Sequence, residues 1–286
     1  MNWRVYNNSL IKRGEVWIDS SLISKIEGKD NEGKKRGRPY KYSTFLILFL
    51  VILKFIFKMG YRQLQGFAQS FLGKLLSTAV PNFRTICYRF LKLNIEFKFE
   101  EELPDDAIII VDSTGMKVTN RGEWIRMRGR MKRRGWVYEA KGKKIVEFKV
   151  TDERGQDCKE GLEMLKELYE KTKRSNKRIS KVIADAGYDT YEIFNYLSER
   201  CISAVIKLRK NAKLSDNLSR SRIIRYMRDS GGNWSRELGY NKRWLIESFF
   251  SSYKRFFGEH VNSIKKEIFF KLLIMNSFYS YNNLTN

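Results

Sequence analysis

The sequence predicts an α/β fold, a mixed sheet flanked by helices, preceded by a small all-helical domain. Two apolar runs, 107–112 and 181–185, are typical of buried strands, and each ends in an acidic residue. Helical patterns follow both runs, and a long one begins near residue 240. Because residues 42–93 show helical periodicity alone, the change of period after residue 100 indicates a domain boundary.

The N-terminal part is predicted to comprise a basic arm and a helical domain. Residues 1–41 form the N-terminal segment and linker, of which 28–41 are polar, basic and rich in glycine, as in a flexible arm or a solvated loop. Residues 42–100 form the helical domain. Its nine apolar residues at 45–53 precede Lys54, and because a membrane span needs about 20, we expect a buried helix and no membrane partner.

Two helices of this domain are predicted to form a helix-turn-helix-like DNA-binding unit. Helical patterns cover 61–71 and 83–93, and the break between them contains Pro81, which favours a helix start. The second helix carries Arg84 and Arg89, which we expect to contact DNA. A small helical bundle without a DNA-binding role gives a similar pattern, so that alternative stays open.

Residues 101–286 are predicted to form the larger, catalytic domain. Its elements follow the order βββαβαβα, which suits helices packed on a central sheet of parallel and antiparallel strands. The predicted elements are a strand ending at Asp112, strands around 135–140 and 144–151, a helix at 158–171, a strand ending at Asp185, a helix at 191–199, a strand at 202–207 and closing helices from about residue 238.

The charge of the chain favours a polyanionic partner. Its 56 Lys and Arg residues oppose 32 Asp and Glu residues, giving a net charge of +24. We expect double-stranded DNA rather than an anionic membrane surface, because the basic residues are spread along the chain. One histidine and three separate cysteines exclude a His-rich or C-x-x-C zinc site. We expect no signal peptide and a cytoplasmic, nucleoid-associated location.

Three acidic residues are the candidates for catalytic metal chemistry. Asp112 and Asp185 lie at strand ends and Glu247 lies on the later helix, an order that can bring all three to one point. Carboxylate oxygens suit Mg²⁺, and two divalent ions about 3.5–4 Å apart can catalyse phosphodiester chemistry. In so basic a chain, acids placed in this way favour metal ligation over a solvated surface.

The helix that carries the third acid has a polar stripe. At 100° per residue, Tyr240, Arg243, Glu247 and Lys254 fall within a stripe about 60° wide. Lys and Arg on such a stripe can hold a phosphate beside the metal ligand. The alternative is a solvated helix edge with an Arg243–Glu247 pair, which explains one pair and not the rest of the stripe.

These residues resemble the DDE transposases of bacterial and archaeal insertion sequences. The segment from Tyr240 to Lys254 reproduces that family's pattern Y-x2-R-x3-E-x6-K without a gap. The second acid lies in A-D-A-G-Y-D and the first in V-D-S-T-G, which are similar to motifs of the same family. The acids are 73 and 62 residues apart (185 − 112 and 247 − 185), as in compact members. The resemblance covers roughly residues 36–280.

The resemblance implies a ribonuclease-H-like catalytic domain that binds Mg²⁺ or Mn²⁺, with two ions held by Asp112, Asp185 and Glu247. It implies binding to terminal inverted repeats, strand cleavage by water, strand transfer by a DNA 3′-hydroxyl, and target DNA as a second partner. Arg243 and Lys254 would contact phosphate. Tyr240 would lie beside the terminal nucleotides or orient the helix. We expect a homodimer in the DNA complex.

A basic run after the first acid is predicted to grip DNA phosphates. It spans 126–134 and includes Arg126, Arg128, Arg130 and Arg133, and a solvated charge run is the alternative. Near the second acid, Asp189 could support the metal ligand from behind, with a surface position as the default expectation. Two other functions stay open: a structure-selective DNA nuclease of the same fold, and a DNA-binding regulator derived from an inactive transposase.

Overall fold

The chain divides into two units, Met1–Glu96 and Phe97–Asn286. The structure is a computed structural model. It describes residues 40–75, 79–93, 103–118, 132–150, 157–216 and 218–258, with short pieces at 3–4, 7, 24, 26, 260–261, 271–272 and 274–276.

Three helices make up the described part of the first unit: α1 (Thr44–Ile56), α2 (Tyr61–Leu75) and α3 (Phe83–Lys92). Each helix packs against the other two. Ser43 caps α1 and Asn82 caps α3, each through a side-chain oxygen that accepts a backbone N–H three residues on. The Gln65 side chain of α2 accepts the backbone N–H of Phe83, 2.9 Å away, and so fixes where α3 begins.

The apolar run predicted as a buried helix is α1, and this prediction is confirmed. Leu46, Ile47, Leu50, Val51 and Phe55 are all buried. Among the described residues, no single helix is long and apolar enough to cross a membrane, whereas α1 and α2 together, bent by 114°, meet that criterion by length and composition. The pairing of α2 and α3 as a helix-turn-helix reader stays a prediction.

The second unit contains the strands and helices of the predicted order βββαβαβα, with two additional helices and one short additional strand. Its strands are β1 (Asp106–Val118), β2 (Lys132–Glu139), β3 (Lys144–Val150), β4 (Arg178–Ala184), β5 (Ser203–Ile206) and β6 (His260–Val261). Its helices are α4 (Asp157–Arg174), α5 (Tyr191–Glu199), α6 (Leu218–Asp229), α7 (Trp234–Glu237) and α8 (Trp244–Phe257). One 3₁₀ turn, Ala186–Tyr188, follows β4, and another, Tyr240–Arg243, precedes α8.

The strands form one mixed sheet in the order β3-β2-β1-β4-β5, and β6 pairs with the end of β1. β2 runs antiparallel to both β1 and β3, whereas β4, β5 and β6 run parallel to β1. This order and these directions are those of the ribonuclease-H-like fold. The predicted fold class of the larger unit is therefore confirmed.

Alternation along the strands assigns each residue to one face of the sheet. On one face, Val111 and Val137 join a core with apolar residues of α4 and α5. On the other face, Trp136 lies 5.7 Å from Phe250 of α8, between ring centroids, and Tyr138 lies 5.8 Å from Phe249. Because Asp112 pairs with Trp136 across the ladder, its side chain emerges on the face that α8 covers.

Two predicted boundaries differ from the structure. β1 does not end at Asp112 but continues to Val118, because β2 keeps pairing with it as far as Met116, beyond the point where β4 stops. The closing helix does not begin at Tyr240, because the segment Tyr240–Arg243 winds as a 3₁₀ turn before α8. Two helices that the sequence pattern did not predict, α6 and α7, lie between β5 and this turn.

Candidate active site

Asp112 lies in the middle of the sheet, at the point where its parallel neighbour ends. Val111 pairs in register with Ala184, the last residue of β4. Asp112 and Asp185 are the next residues after this pair, and neighbouring strands lie about 4.8 Å apart in ordinary sheets. Asp112, counted with its backbone, is buried. The sheet therefore brings the first two predicted acids to one edge, as the sequence analysis expected.

Asp185 opens the 3₁₀ turn after β4. Its Oδ1 accepts the backbone N–H of Gly187, 2.9 Å away, in the manner of an N-cap. A Cβ at position 187 would lie 3.0 Å from that oxygen, so the glycine leaves room for the carboxylate. The turn thus holds one oxygen of Asp185 close to the main chain.

Arg243 joins the third acid to the first. Its Nη1 donates to Asp112 Oδ2 at 2.9 Å, and its Nη2 donates to Glu247 Oε1 in the i,i+4 arrangement. The Glu247 side chain is 53% exposed, against 12% for Asp112. The Arg243–Glu247 pair of the solvated-edge alternative is therefore present, but the same guanidinium also reaches a strand 131 residues away.

A backbone bend and a lysine position this arginine. Gly239 has a φ of +77°, a left-handed conformation that suits glycine, and the chain turns there into the 3₁₀ segment. Lys181 of β4 donates from Nζ to the carbonyl of Leu238, 2.8 Å away. The Tyr240 ring packs against Trp234, with centroids 4.9 Å apart. These contacts tie the start of the Tyr240–Arg243 turn to the sheet and to α7.

The environment of Asp112 raises its pKa to about 6. Burial is the main cause, and the nearby Asp185 and Glu247 carboxylates add to it, whereas the backbone N–H of Ser113 and the Arg243 guanidinium act in the opposite direction. Burial and the same three acids raise the pKa of Tyr240, so its hydroxyl lies within their field. The charges of all three acids therefore act on the same groups, and their role as metal ligands stays a prediction.

In the described part of the chain, no three His, Cys, Asp or Glu side chains come together closely enough to hold an ion as they stand. At the predicted position, one guanidinium bridges two of the three carboxylates. The donor set is nevertheless hard oxygen, and its three carboxylates carry more charge than the Arg243 guanidinium that contacts two of them. That excess of negative charge fits a divalent ion.

The remaining predicted DNA contacts have different outcomes. Lys254 is half-buried on α8, and Arg84 is exposed on α3, so both stay predictions. The side chains of the basic run, Arg126, Arg128, Arg130 and Arg133, lie outside the described residues.

Arg89 does not fit a DNA-contacting role. It is 5% exposed, and its guanidinium donates to the carbonyl of Tyr42 and to Thr44 Oγ1, at 3.0 and 2.9 Å. The guanidinium also lies 3.7 Å from the centroid of the Tyr40 ring. Because its donors point into the helical unit, the prediction for Arg89 is wrong, and its role is to hold the segment before α1 against α3.

Asp189 is a further correction, because it is buried rather than on the surface. Its carboxylate pairs with Arg220 of α6, and the side chains are 0% and 9% exposed. Its position in the A-D-A-G-Y-D motif is the one signal that could have drawn attention to it. Arg220 lies in no motif, and Lys181 enters only as the first residue of the run 181–185, so no sequence signal marked either residue as part of the site.

Comparison with known families identifies the class of this protein. Residues 103–283 match the family described as "Transposase DDE domain", and residues 11–121 match a second family of the same description. The first match covers more than half of the chain, so the chain belongs to the DDE transposases. The three acids lie inside that match.

Solved structures with a similar fold include three transposases. The piggyBac transposase synaptic complex with hairpin DNA is 9% identical, over 97% of this chain and 74% of that chain, with a TM-score of 0.45. The Mos1 strand transfer complex is 9% identical over 88% and 77%, with a TM-score of 0.36. The Drosophila P element transposase strand transfer complex is 11% identical over 72% and 47%, with a TM-score of 0.36.

Proposed function

We propose that this protein binds the terminal inverted repeats of an insertion sequence and catalyses divalent-metal-dependent DNA strand cleavage and strand transfer. The observation that carries the proposal is the geometry around Asp112: Asp112 and Asp185 follow paired residues of neighbouring strands, and Arg243 bridges Asp112 and Glu247. Family membership supports the same chemistry. The net charge of +24 supports DNA as the partner.

Asp112, Asp185 and Glu247 would hold Mg²⁺ or Mn²⁺, most simply as two ions. Bound ions of this kind supply an activated water or 3′-hydroxyl and neutralise charge on the leaving oxygen. Release of Asp112 Oδ2 and Glu247 Oε1 by Arg243 would make these two oxygens available as ligands as well. Once released, its planar guanidinium can hold a DNA phosphate with two parallel hydrogen bonds.

The other cations extend the phosphate contacts away from the acids. Lys254 lies seven residues beyond Glu247 on α8, about 10.5 Å along the axis at 1.5 Å per residue. One DNA strand can touch both positions. Arg84, exposed on α3, would contribute from the helical unit, and two copies of the chain would hold the two DNA ends together.

Cleavage of linear DNA that carries the inverted repeats flanking the coding sequence tests the proposal. Asp112→Asn, Asp185→Asn and Glu247→Gln should each lower the cleavage rate in Mg²⁺ by more than about 100-fold, because each removes a metal ligand. Binding of end DNA in a gel-shift assay should stay close to that of the wild type. Glu192→Gln is the matched control, because Glu192 is an exposed acid at the start of α5.

The outcomes separate the proposal from its alternatives. Cleavage of branched DNA without preference for the inverted repeats would identify a structure-selective nuclease. Tight binding of end DNA with no cleavage in Mg²⁺ or Mn²⁺ would identify a DNA-binding regulator. A wild-type rate in any one of the three acid variants would remove that residue from the site.

A further inference from the structure

The ion pair between Asp189 and Arg220 is built with more contacts than a stabilising pair requires. Arg220 Nε donates to Asp189 Oδ1 at 2.6 Å, and Arg220 Nη2 donates to Oδ2 at 3.0 Å. The backbone N–H of Arg209 donates to the same Oδ2 at 3.0 Å. Arg220 also donates from Nη1 to the carbonyl of Lys213. Both side chains are thereby held in one geometry.

Asp189 is the last residue of a short turn whose first residue is Asp185. Between them the backbone N–H of Tyr188 donates to the carbonyl of Asp185 at 3.2 Å, and that of Asp189 donates to the carbonyl of Ala186 at 3.4 Å. Asp185 itself accepts the backbone N–H of Gly187 through its side chain. Because these hydrogen bonds hold the turn in one conformation, a displacement of Asp189 would also displace Asp185.

The middle of the turn is held from the opposite side. Tyr188 is 2% exposed, and a Cβ on Gly161 of α4 would lie only 2.4 Å from its ring. The chain after β5 is tied to the turn as well, because the backbone N–H of Lys207 donates to the carbonyl of Ala184 at 3.1 Å. The turn is thus fixed between α4 on one side and the segment leading to α6 on the other.

A buried ion pair is a costly means of stabilising a fold. Removing two charges from water opposes their attraction, and apolar residues of similar size often serve stability as well or better. What the pair supplies, and apolar residues do not, is a directional contact with fixed geometry. Here that contact lies four residues from the Asp185 carboxylate.

We propose that Asp189 and Arg220 are positioning residues that hold the turn after β4 so that the Asp185 carboxylate faces Asp112 and Glu247. This inference rests on the proposed function, because it assigns the pair to the metal-binding site of that function. Neither residue touches the ion. The pair sets where one of its ligands lies.

The test uses the full-length protein and Mn²⁺ alone, without DNA. Free Mn²⁺ is measured by electron paramagnetic resonance during titration. The main variant is Asp189→Asn with Arg220→Met, which removes both charges together and leaves no unpaired buried ion. We expect the Mn²⁺ dissociation constant to rise about 10- to 100-fold, the range found when groups that orient metal ligands are lost. Arg220→Lys should fall between this variant and the wild type.

A second measurement locates the change. Fe²⁺ with ascorbate and peroxide cuts a protein backbone beside the bound ion. In the wild type we expect cuts near Asp112, Asp185 and Glu247, and in the double variant a loss of the cut near Asp185 with the other two kept. The matched control replaces the half-buried pair of Lys171 and Glu147, whose Nζ and Oε2 are 2.6 Å apart, by Met and Gln. It should bind Mn²⁺ like the wild type.

The results separate this inference from the proposed function. A folded double variant with wild-type Mn²⁺ affinity and an unchanged cutting pattern overturns the positioning role alone. Equal weakening of Mn²⁺ binding in the double variant and in the control also overturns it, because the effect would then be one of general stability. A wild-type protein that binds no Mn²⁺ overturns the metal site of the proposed function and this inference with it.

Discussion

Asp112 and Asp189 are both buried aspartates of the larger unit that contact an arginine, yet their pKa values are shifted in opposite directions. The pKa of Asp112 is raised to about 6. Burial also acts to raise the pKa of Asp189, but the hydrogen bonds from Arg220 and from the backbone of Arg209 outweigh it and leave that pKa below its ordinary value. The same residue type in the same fold is thus held in two electrostatic states.

The difference lies in what else each carboxylate meets. Asp189 receives two hydrogen bonds from one guanidinium and a third from a backbone N–H. Asp112 receives one bond from Arg243, which it shares with Glu247, and one from the backbone N–H of Ser113, and it lies beside two other acids. A structural carboxylate is fully satisfied within the protein. The Asp112 carboxylate is left with negative charge that a bound cation can neutralise.

The largest effect we expect is a difference in the free energy of unfolding between variants of Arg220 and variants of Arg243. Arg220→Met leaves the Asp189 carboxylate buried and unpaired, and we expect it to lower the free energy of unfolding by about 3–5 kcal/mol. Arg243→Met should cost about 1 kcal/mol or less, because Asp112 can take up a proton and Glu247 is largely exposed. Urea unfolding of the ion-free protein at pH 6 measures both. Similar losses in the two variants would contradict the comparison.

The pH dependence of stability should have opposite signs at the two aspartates. Between about pH 4 and pH 6 the folded protein keeps a proton on Asp112 that the unfolded chain has lost, so stability from this group falls as pH rises. Asp112→Asn should therefore gain on the wild type across that window, by on the order of 2 kcal/mol. Thermal unfolding from pH 3 to pH 8 without metal measures the difference.

Asp189 should show the opposite pH dependence of stability in the same experiment. Its lowered pKa contributes stability that is present above the ordinary value of 3.8 and is lost as pH falls through the lower folded value. The deficit of Asp189→Asn relative to the wild type should be constant above about pH 5 and shrink below about pH 4. Parallel pH profiles for the two variants would show that the aspartates do not differ in this way.

The smallest effect concerns a cation that serves neither aspartate. Lys254→Ala should weaken cleavage and strand transfer less than tenfold, about 1 kcal/mol, because it loses a single phosphate contact. The Mg²⁺ dependence of the residual activity should be unchanged, and Lys254→Arg should restore part of the loss. A Mg²⁺ titration of cleavage on pre-formed end DNA checks this. Full rescue of Lys254→Ala by added Mg²⁺ would place Lys254 with the carboxylates instead.

Local sequence was enough to predict most elements of the larger unit. Apolar alternation and helical spacing act over a few residues, so the strands leading to the two aspartates and the helix carrying Glu247 were found from the chain alone. The Arg243–Glu247 pair followed from the same logic, because residues four apart share a helix face. The succession of strands and helices along the chain, with mixed parallel and antiparallel pairing, was also predicted, but the order of the strands within the sheet was not.

Features decided over long range were missed or misjudged. Arg89 was predicted to contact DNA, yet its partners lie 45 and 47 residues away inside the helical unit. Asp189 was predicted to lie on the surface, yet Arg220, 31 residues on, makes its burial possible. The local sequence around a charged residue does not show whether the fold places an oppositely charged partner beside it.

The sequence by itself determined the residue types of the site, their order and the elements that carry them. Only the tertiary structure decided that Arg243 bridges Asp112 and Glu247, and that β1 runs past Asp112 to Val118. The physical reason is that secondary structure follows from contacts between near neighbours, whereas the burial and pairing of a charge depend on what the whole sheet and its helices bring beside it.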